Sequence, residues 1–329
     1  MNYRQLGKSD LAVTPIVMGC WGISDEAMWG PQDDADTRAT IHAALDHGIT
    51  FFDTAEAYGK GRSESILGEA LKPYRDRVII ATKVRSANVS APEIRAACDA
   101  SLKRLQTDTI DVYQIHWPSH SVPFEETMGE LMRLRDEGKI RYVGLSNHGS
   151  QDMAAMLALG PVISNQVPYN LLWRAIEDAV LPACGQYGLG VLAYSPLLHG
   201  LLTGKYTSAE QVTGGRARTR HFASHRPGAR HGEPGAEDEL FATIERIRGI
   251  AADCGLSMPL LATAWVLHQP GITAVIAGAR TSVHLADAVR ATEITLSADV
   301  LAALDAATLP LKQRMGPNPD LWQSDSRFR

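Results

Sequence analysis

The chain has 329 residues, 45% hydrophobic but only 6% aromatic, enough to build a sizeable core largely from small apolar side chains. Its net charge of −5 gives no global attraction to nucleic acid or to an acidic membrane surface. Four cysteines, Cys20, Cys98, Cys184 and Cys254, stand far apart without a CxxC pair, so nothing supports a zinc ribbon or a dithiol site. From the N-terminus, Met1 to Lys8 lacks an apolar h-region, and no later apolar run approaches the roughly 20 residues of a membrane span. A cytoplasmic setting is the expectation.

In chain order, Tyr3 to Val13, with Gly7-Lys8-Ser9-Asp10 at its centre, reads as a hairpin able to plug the bottom of a barrel. Continuous apolar runs follow at Ile16 to Cys20, Ile49 to Phe52, Val78 to Thr82 and Ile110 to Ile115. Others lie at Ile140 to Leu145, Val162 to Asn165, Gly190 to Ala193 and Ile272 to Ala277. Between them, apolar residues recur at helical spacing over Ala35 to His47, from Pro92 to Leu105, and over Phe124 to Glu137, Asp238 to Cys254 and Thr281 to Ala291. Continuous runs mean burial on both faces, as in a parallel sheet covered by helices. Eight such strands alternating with helices predict an α/β chain folded as one (β/α)8 TIM barrel domain over 1–329. A doubly wound sheet would carry a Gly-rich phosphate turn after its first strand, and none is there. Thr207 to Glu237, after the seventh strand, is long, aperiodic and carries Arg216, Arg218, Arg220, Arg226 and Arg230. It reads either as a solvated mobile loop or as a lid over a ligand's pyrophosphate that adds positive charge and orders on binding. The tail from Pro310 to Arg329, with Pro317, Pro319 and Trp322, carries no predicted structure.

Active sites of β/α barrels lie at the C-terminal ends of the strands. Asp53, Lys83 and His116 end three consecutive strands, and Tyr58 lies just beyond Asp53 in the loop after the first of these. A phenol has an ordinary pKa of about 10, and a nearby ammonium favours the phenolate. Asp53 would anchor Lys83, and His116 would hydrogen-bond a substrate oxygen. Such a set suits protonation of an oxygen that is becoming an alkoxide. Each residue alone also has a plain structural reading, as a turn, a solvated lysine, a packed tyrosine or a buried histidine. Rival chemistries lack their motifs. Gly144 to Gly149 misses the second glycine of a nucleophile elbow at His148, and no HExxH or His-x-His pair supports a metal. Gly59-Lys60-Gly61 does not complete a GxGxxG, and there is no Walker sequence.

The stretch Phe52-Asp53-Thr54-Ala55-Glu56-Ala57-Tyr58-Gly59, followed by Gly61-Arg62-Ser63-Glu64 and Leu67-Gly68, resembles the aldo-keto reductase signature. Ser101 to Leu105, Asp111, Ile115-His116-Trp117, Gly138 to Arg141 and Gly144 to Asn147 match the same family. So do Gln166, Tyr169-Asn170, Tyr194-Ser195-Pro196-Leu197, Gly200 to Tyr206 and Ala277 to Thr281. The likeness runs from Leu6 to about Leu304. It implies reduction of a small carbonyl substrate, or oxidation of an alcohol, with a nicotinamide cofactor bound across the barrel mouth. Tyr58 would be the acid, Lys83 and Asp53 its tuning partners and His116 the polarising group. Ser146, Asn147 and Gln166 would hold the carboxamide, and Tyr194 would stack on the nicotinamide. Ser195, Leu197, Gly200, Leu202 and Lys205, with Pro196 in the same turn, would line the pyrophosphate.

Arg280, between Gly278 and His284, is the expected clamp for a 2′-phosphate, which favours NADP(H). His284 and Ala288 replace the glutamine and asparagine common in the family, which keeps NAD(H) open. Trp21, Trp29 and Trp117 are the aromatic walls expected around a substrate pocket. The alternative within the same resemblance is a regulatory nicotinamide-binding subunit like the potassium-channel β subunits. No nucleic acid, membrane or metal partner is expected, and homo-oligomerisation stays open.

Overall fold

An antiparallel ribbon and a closed parallel barrel make up the sheet structure of the computed structural model, which describes residues 1–329 apart from Ala27. The ribbon pairs β1 (Arg4–Gln5) with β2 (Ala12–Val13). The barrel contains β3 (Ile16–Gly19), β4 (Phe51–Asp53), β5 (Ile79–Val84), β6 (Ile110–Ile115), β7 (Ile140–Ser146), β8 (Ser164–Pro168), β9 (Gly190–Tyr194) and β10 (Ile272–Gly278). The strands follow chain order, and β10 pairs with both β9 and β3 to close the circle. This is the (β/α)8 TIM barrel that the alternating pattern predicts.

The apolar runs are continuous because each strand has two dry faces. Val17, Phe51, Ala81, Val112, Leu192 and Ala274 fill the lumen together with Leu6, Leu11 and Val13 of the ribbon. Other strand residues pack outward against the helices in one large layer. The ribbon plugs the barrel as predicted. Arg4 reaches the carbonyls of Ile272 (3.1 Å) and Leu267 (3.3 Å), and Ser9 Oγ donates to Leu6 O at 2.7 Å.

Helices at Asp34–Asp46, Ala91–Leu105, Phe124–Asp136, Glu237–Asp253 and Ser282–Arg290 fall where the periodicity places them. Met258–His268 escaped it, because nearly every side chain there is buried and no polar stripe marks a face. Arg62–Leu71, Ser150–Leu159 and Val180–Tyr187 were also not predicted. Strand β8 begins two residues later than Val162 and runs to Pro168, because the polar Asn165 and Gln166 are themselves buried in the wall.

The tail is a correction. Ala298–Met315 is helical straight through Pro310. Beyond it, buried Asp320 accepts from the amides of Trp322 (3.0 Å) and Gln323 (3.2 Å) and from both arms of Arg327 (2.7 and 2.9 Å). One carboxylate organises a segment that has no periodicity to read. The 207–237 segment likewise contains short turns at Ala209–Gln211 and Gly214–Ala217. Arg220 pairs with Glu233 at 2.8 Å and Arg226 with Glu237 at 2.8 Å, so two of its five arginines hold the loop itself. Among the described residues no single helix is long and apolar enough to cross a membrane.

Candidate active site

A cavity of about 860 Å³ opens at the C-terminal end of the barrel, within the range of pockets that enclose ligands. Asp53, Tyr58 and His116 line it, with Lys83 sealed beneath at 0% exposure. Lys83 Nζ donates to Asp53 Oδ2 (2.6 Å), to the Thr54 carbonyl (2.9 Å) and to the Tyr58 hydroxyl (3.2 Å). All three of its protons are thereby used. The His116 ring meets the Tyr58 ring edge to face at 5.7 Å.

Asp53 has two further donors that sequence reasoning missed or placed elsewhere. Gln114 Nε2 reaches Oδ1 at 3.1 Å, and Gln166 Nε2 reaches the same atom at 2.8 Å. A buried carboxylate needs this satisfaction, since an unpaired one would be costly. Gln114 shares the strand Ile110 to Ile115 with Asp111 and lies in register with Lys83 on the neighbouring strand, a pairing that only the fold reveals.

Burial pulls the Lys83 ammonium down, but Asp53 and Tyr58 outweigh it, and its pKa ends above the ordinary value. Burial also pushes the Tyr58 phenol up. Lys83 pulls it the other way without overcoming burial, and Asp53 adds to the rise. The ammonium thus acts in the expected direction, but burial outweighs it and the phenol stays protonated. Burial, with Lys83, Arg85 and Arg327 adding to it, holds His116 well below its usual range, so the imidazole is neutral. The floor thus offers two neutral donors, a phenol and an imidazole.

Beside them, Asn147 adopts φ 61° and spans the wall. Its Nδ2 donates to His116 O and to Ser146 Oγ, both at 3.0 Å, and its Oδ1 accepts from the Tyr194 hydroxyl at 2.9 Å. Ser146 Oγ donates to the Gln166 carbonyl at 3.1 Å. Ser195 (φ 57°) starts a turn whose carbonyl accepts from Asn170 Nδ2 at 3.0 Å. Ser195, Pro196, Leu197, Gly200 and Lys205 all reach the cavity, as do Gly278, Arg280 and His284. Leu202 does not: its side chain is fully buried and its amide is taken by the Leu197 carbonyl.

Lys205 forms no ion pair among the described residues and lies 4.8 Å from the Tyr206 ring. A free cation at the end of a strained turn fits a phosphate-bearing cofactor. Arg280 is engaged otherwise. It donates to the carbonyls of Trp29, Gly30 (3.3 Å) and Pro31 (2.6 Å) and to Gln32 Oε1 (2.6 Å).

Trp21 stands 6.4 Å from Tyr58 and meets Trp29 edge-on at 5.5 Å. Trp117 is covered by the Arg327 guanidinium at 3.4 Å, with Phe328 edge-on at 5.8 Å. The tail therefore forms part of the pocket wall, a role that sequence reasoning did not give it. Among the described residues no group of three His, Cys, Asp or Glu side chains is arranged to hold a metal ion.

A profile described as the Aldo/keto reductase family matches residues 15–308. The chain is 39% identical over 292 residues to the aldo-keto reductase YhdN of Bacillus subtilis (strain 168), covering 85% of each chain. It is 34% identical over 277 residues to probable aldo-keto reductase 1 of Glycine max, covering 80% of this chain and 77% of that one. Among solved structures it is similar to the thermostable aldo-keto reductase Tm1743 in complex with the inhibitor epalrestat. That likeness has a TM-score of 0.75 and 27% identity, over 93% of this chain and 100% of the other.

Proposed function

The chain belongs to the aldo/keto reductase family, and from that premise we propose that it reduces aldehydes, ketones or aldoses to alcohols, reversibly, with Tyr58 as general acid. The observation that carries this reading is the buried Lys83 bridging Asp53 and the Tyr58 hydroxyl, with neutral His116 against the same phenol. A bound nicotinamide supplies the hydride. Tyr58 gives its phenolic proton to the substrate oxygen. Lys83, 3.2 Å away, stabilises the phenolate left behind. Asp53 holds Lys83 in place, and Gln114 and Gln166 hold Asp53. His116 donates to the carbonyl oxygen and polarises it before the proton moves. Trp21, its ring 6.4 Å from that of Tyr58, walls this side of the site.

The cofactor fits the polar wall and the free cation described above. Ser146, Asn147 and Gln166 would hold its carboxamide, Tyr194 its ring face, and the Ser195–Gly200 turn with Lys205 its pyrophosphate. NADP(H) is the favoured nucleotide because Arg280 supplies a planar fork beside His284. Its carbonyl partners at Trp29 to Pro31 compete for that fork, which leaves NAD(H) the alternative. We place the activity in the cytoplasm.

Turnover of small aldehydes is the test. Tyr58→Phe should lower kcat by about 10²–10⁴ while cofactor affinity, measured by fluorescence titration, stays unchanged. A variant that keeps full turnover removes Tyr58 from the mechanism. Because the phenol is raised, the reductive rate should hold through neutral pH and fall only above about 10, the ordinary phenol value.

A further inference from the structure

We propose that the substrate carries an anionic group, a carboxylate or a phosphate, received by Arg218 and Arg216 on the aromatic wall beside Tyr58. The proposal rests on the carbonyl-reductase reading and adds a substrate class to it. Arg218 lies over Trp322 at 4.7 Å and over Trp21 at 5.6 Å. Trp21 is itself 6.4 Å from Tyr58, so Arg218 stands one ring away from the proton donor. Arg216 lies over Trp29 at 5.6 Å. Both arginines line the cavity.

The charge balance separates these two from Arg220 and Arg226, while Arg230 also lacks an ion pair among the described residues and lines the same cavity. Arg220 and Arg226 have Glu233 and Glu237 as partners. Arg216 and Arg218 form no ion pair among the described residues, and the Nε–H of each is sealed from solvent without an acceptor. Asp25, whose charge acts on Arg218, already accepts from Trp21 Nε1 at 2.8 Å and from the Met28 amide at 3.2 Å. Sealed guanidinium donors without acceptors are costly, and the chain tolerates two side by side. Stacking on indoles fixes each guanidinium while leaving its fork free, which is what bidentate capture of a carboxylate or phosphate requires. Lys205 and Arg280 already serve the proposed cofactor side. Arg218 instead faces the tryptophan that abuts the acid.

Matched substrate pairs test this: 4-oxobutanoate against butanal, and glyceraldehyde 3-phosphate against glyceraldehyde. In wild type the anionic member of one pair should have the higher kcat/KM, by about tenfold or more and mainly through KM. Which pair responds tells carboxylate from phosphate. Arg218→Met, which keeps an apolar stem on the indoles, should collapse that ratio, and Arg218→Lys should restore part of it. A wild-type ratio at or below one overturns the proposal. So does an Arg218→Met variant that weakens cofactor binding and slows both members of a pair alike. If no aldehyde is turned over, the reductase reading fails separately. Calorimetry with butanoate and with inorganic phosphate on the cofactor-saturated protein then decides: saturable binding lost in Arg218→Met supports the anion site, and no binding overturns it.

Discussion

The two ends of the barrel solve opposite problems with the same strands. At the bottom, the β1–β2 ribbon drives Leu6, Leu11 and Val13 into the lumen, and Arg4 and Ser9 satisfy nearby carbonyls. At the mouth, Asn147, Ser195, Leu198 and His199 all sit at positive φ. There both ring nitrogens of His199, Trp29 Nε1 and the Nε atoms of Arg216 and Arg218 are buried without partners. Strained backbone and unmet donors persist only where surrounding packing holds them, and they cluster where ligands bind. The closed end therefore stabilises the fold, and the open end holds groups waiting for something to complete them.

The Lys83 cluster is the exception at the mouth, because every charge in it is satisfied. Lys83→Met should show the largest effect on stability. It strands the buried Asp53 carboxylate, a loss of about 3–5 kcal/mol by urea denaturation. Adding Asp53→Asn should recover much of that stability but none of the turnover. Recovery of both would mean that the pair is scaffolding and not part of proton transfer.

Gly7→Ala probes the other end. Gly7 has φ +56°, and a Cβ there would lie 2.1 Å from the Ile163 carbonyl oxygen. The ribbon must shift, at a cost of about 1–3 kcal/mol by the same denaturation measurement. Turnover per folded molecule should not change, since the lumen side chains lie between Gly7 and Asp53. A matching fall in kcat would show that the two ends are mechanically coupled.

The same contrast decides what the sequence could tell. Strands were legible because burial on both faces leaves long apolar runs, and Asp53, Lys83 and His116 were legible as the polar residues that end them. Gln114 was not, since one glutamine within a strand that also holds Asp111 carries no pattern of its own. The helix Met258–His268 failed for the opposite reason: uniform burial erases the stripe. The tail and the 207–237 loop are ordered by single ion pairs at Asp320, Glu233 and Glu237. Such partners are spatial, and spacing along the chain does not announce them. The family resemblance supplied roles for the wall residues, but it could not show that Arg280 is tied to Trp29–Gln32 or that Arg216 and Arg218 are free.

His148 offers the subtlest distinction between the ends. It is buried just beyond β7, its Nδ1 2.8 Å from the Ser146 carbonyl oxygen and its Nε2 without a partner. Burial drops its pKa to about 4, against about 6.5 for an unfolded histidine. The unfolded chain therefore takes the proton first. Stability is full above about pH 6.5 and drains away as pH falls toward the folded value. His221, at about 4, and His199, at about 3, act with the same sign. Each should remove about 1–2 kcal/mol between pH 7 and pH 5. His148→Phe loses the bond to Ser146 O, so its absolute Tm is a poor guide, but the slope of Tm against pH isolates the titration. That slope should be shallower than in wild type. An unchanged slope would mean that His148 takes up its proton without unfolding, through a mouth looser than its packing suggests.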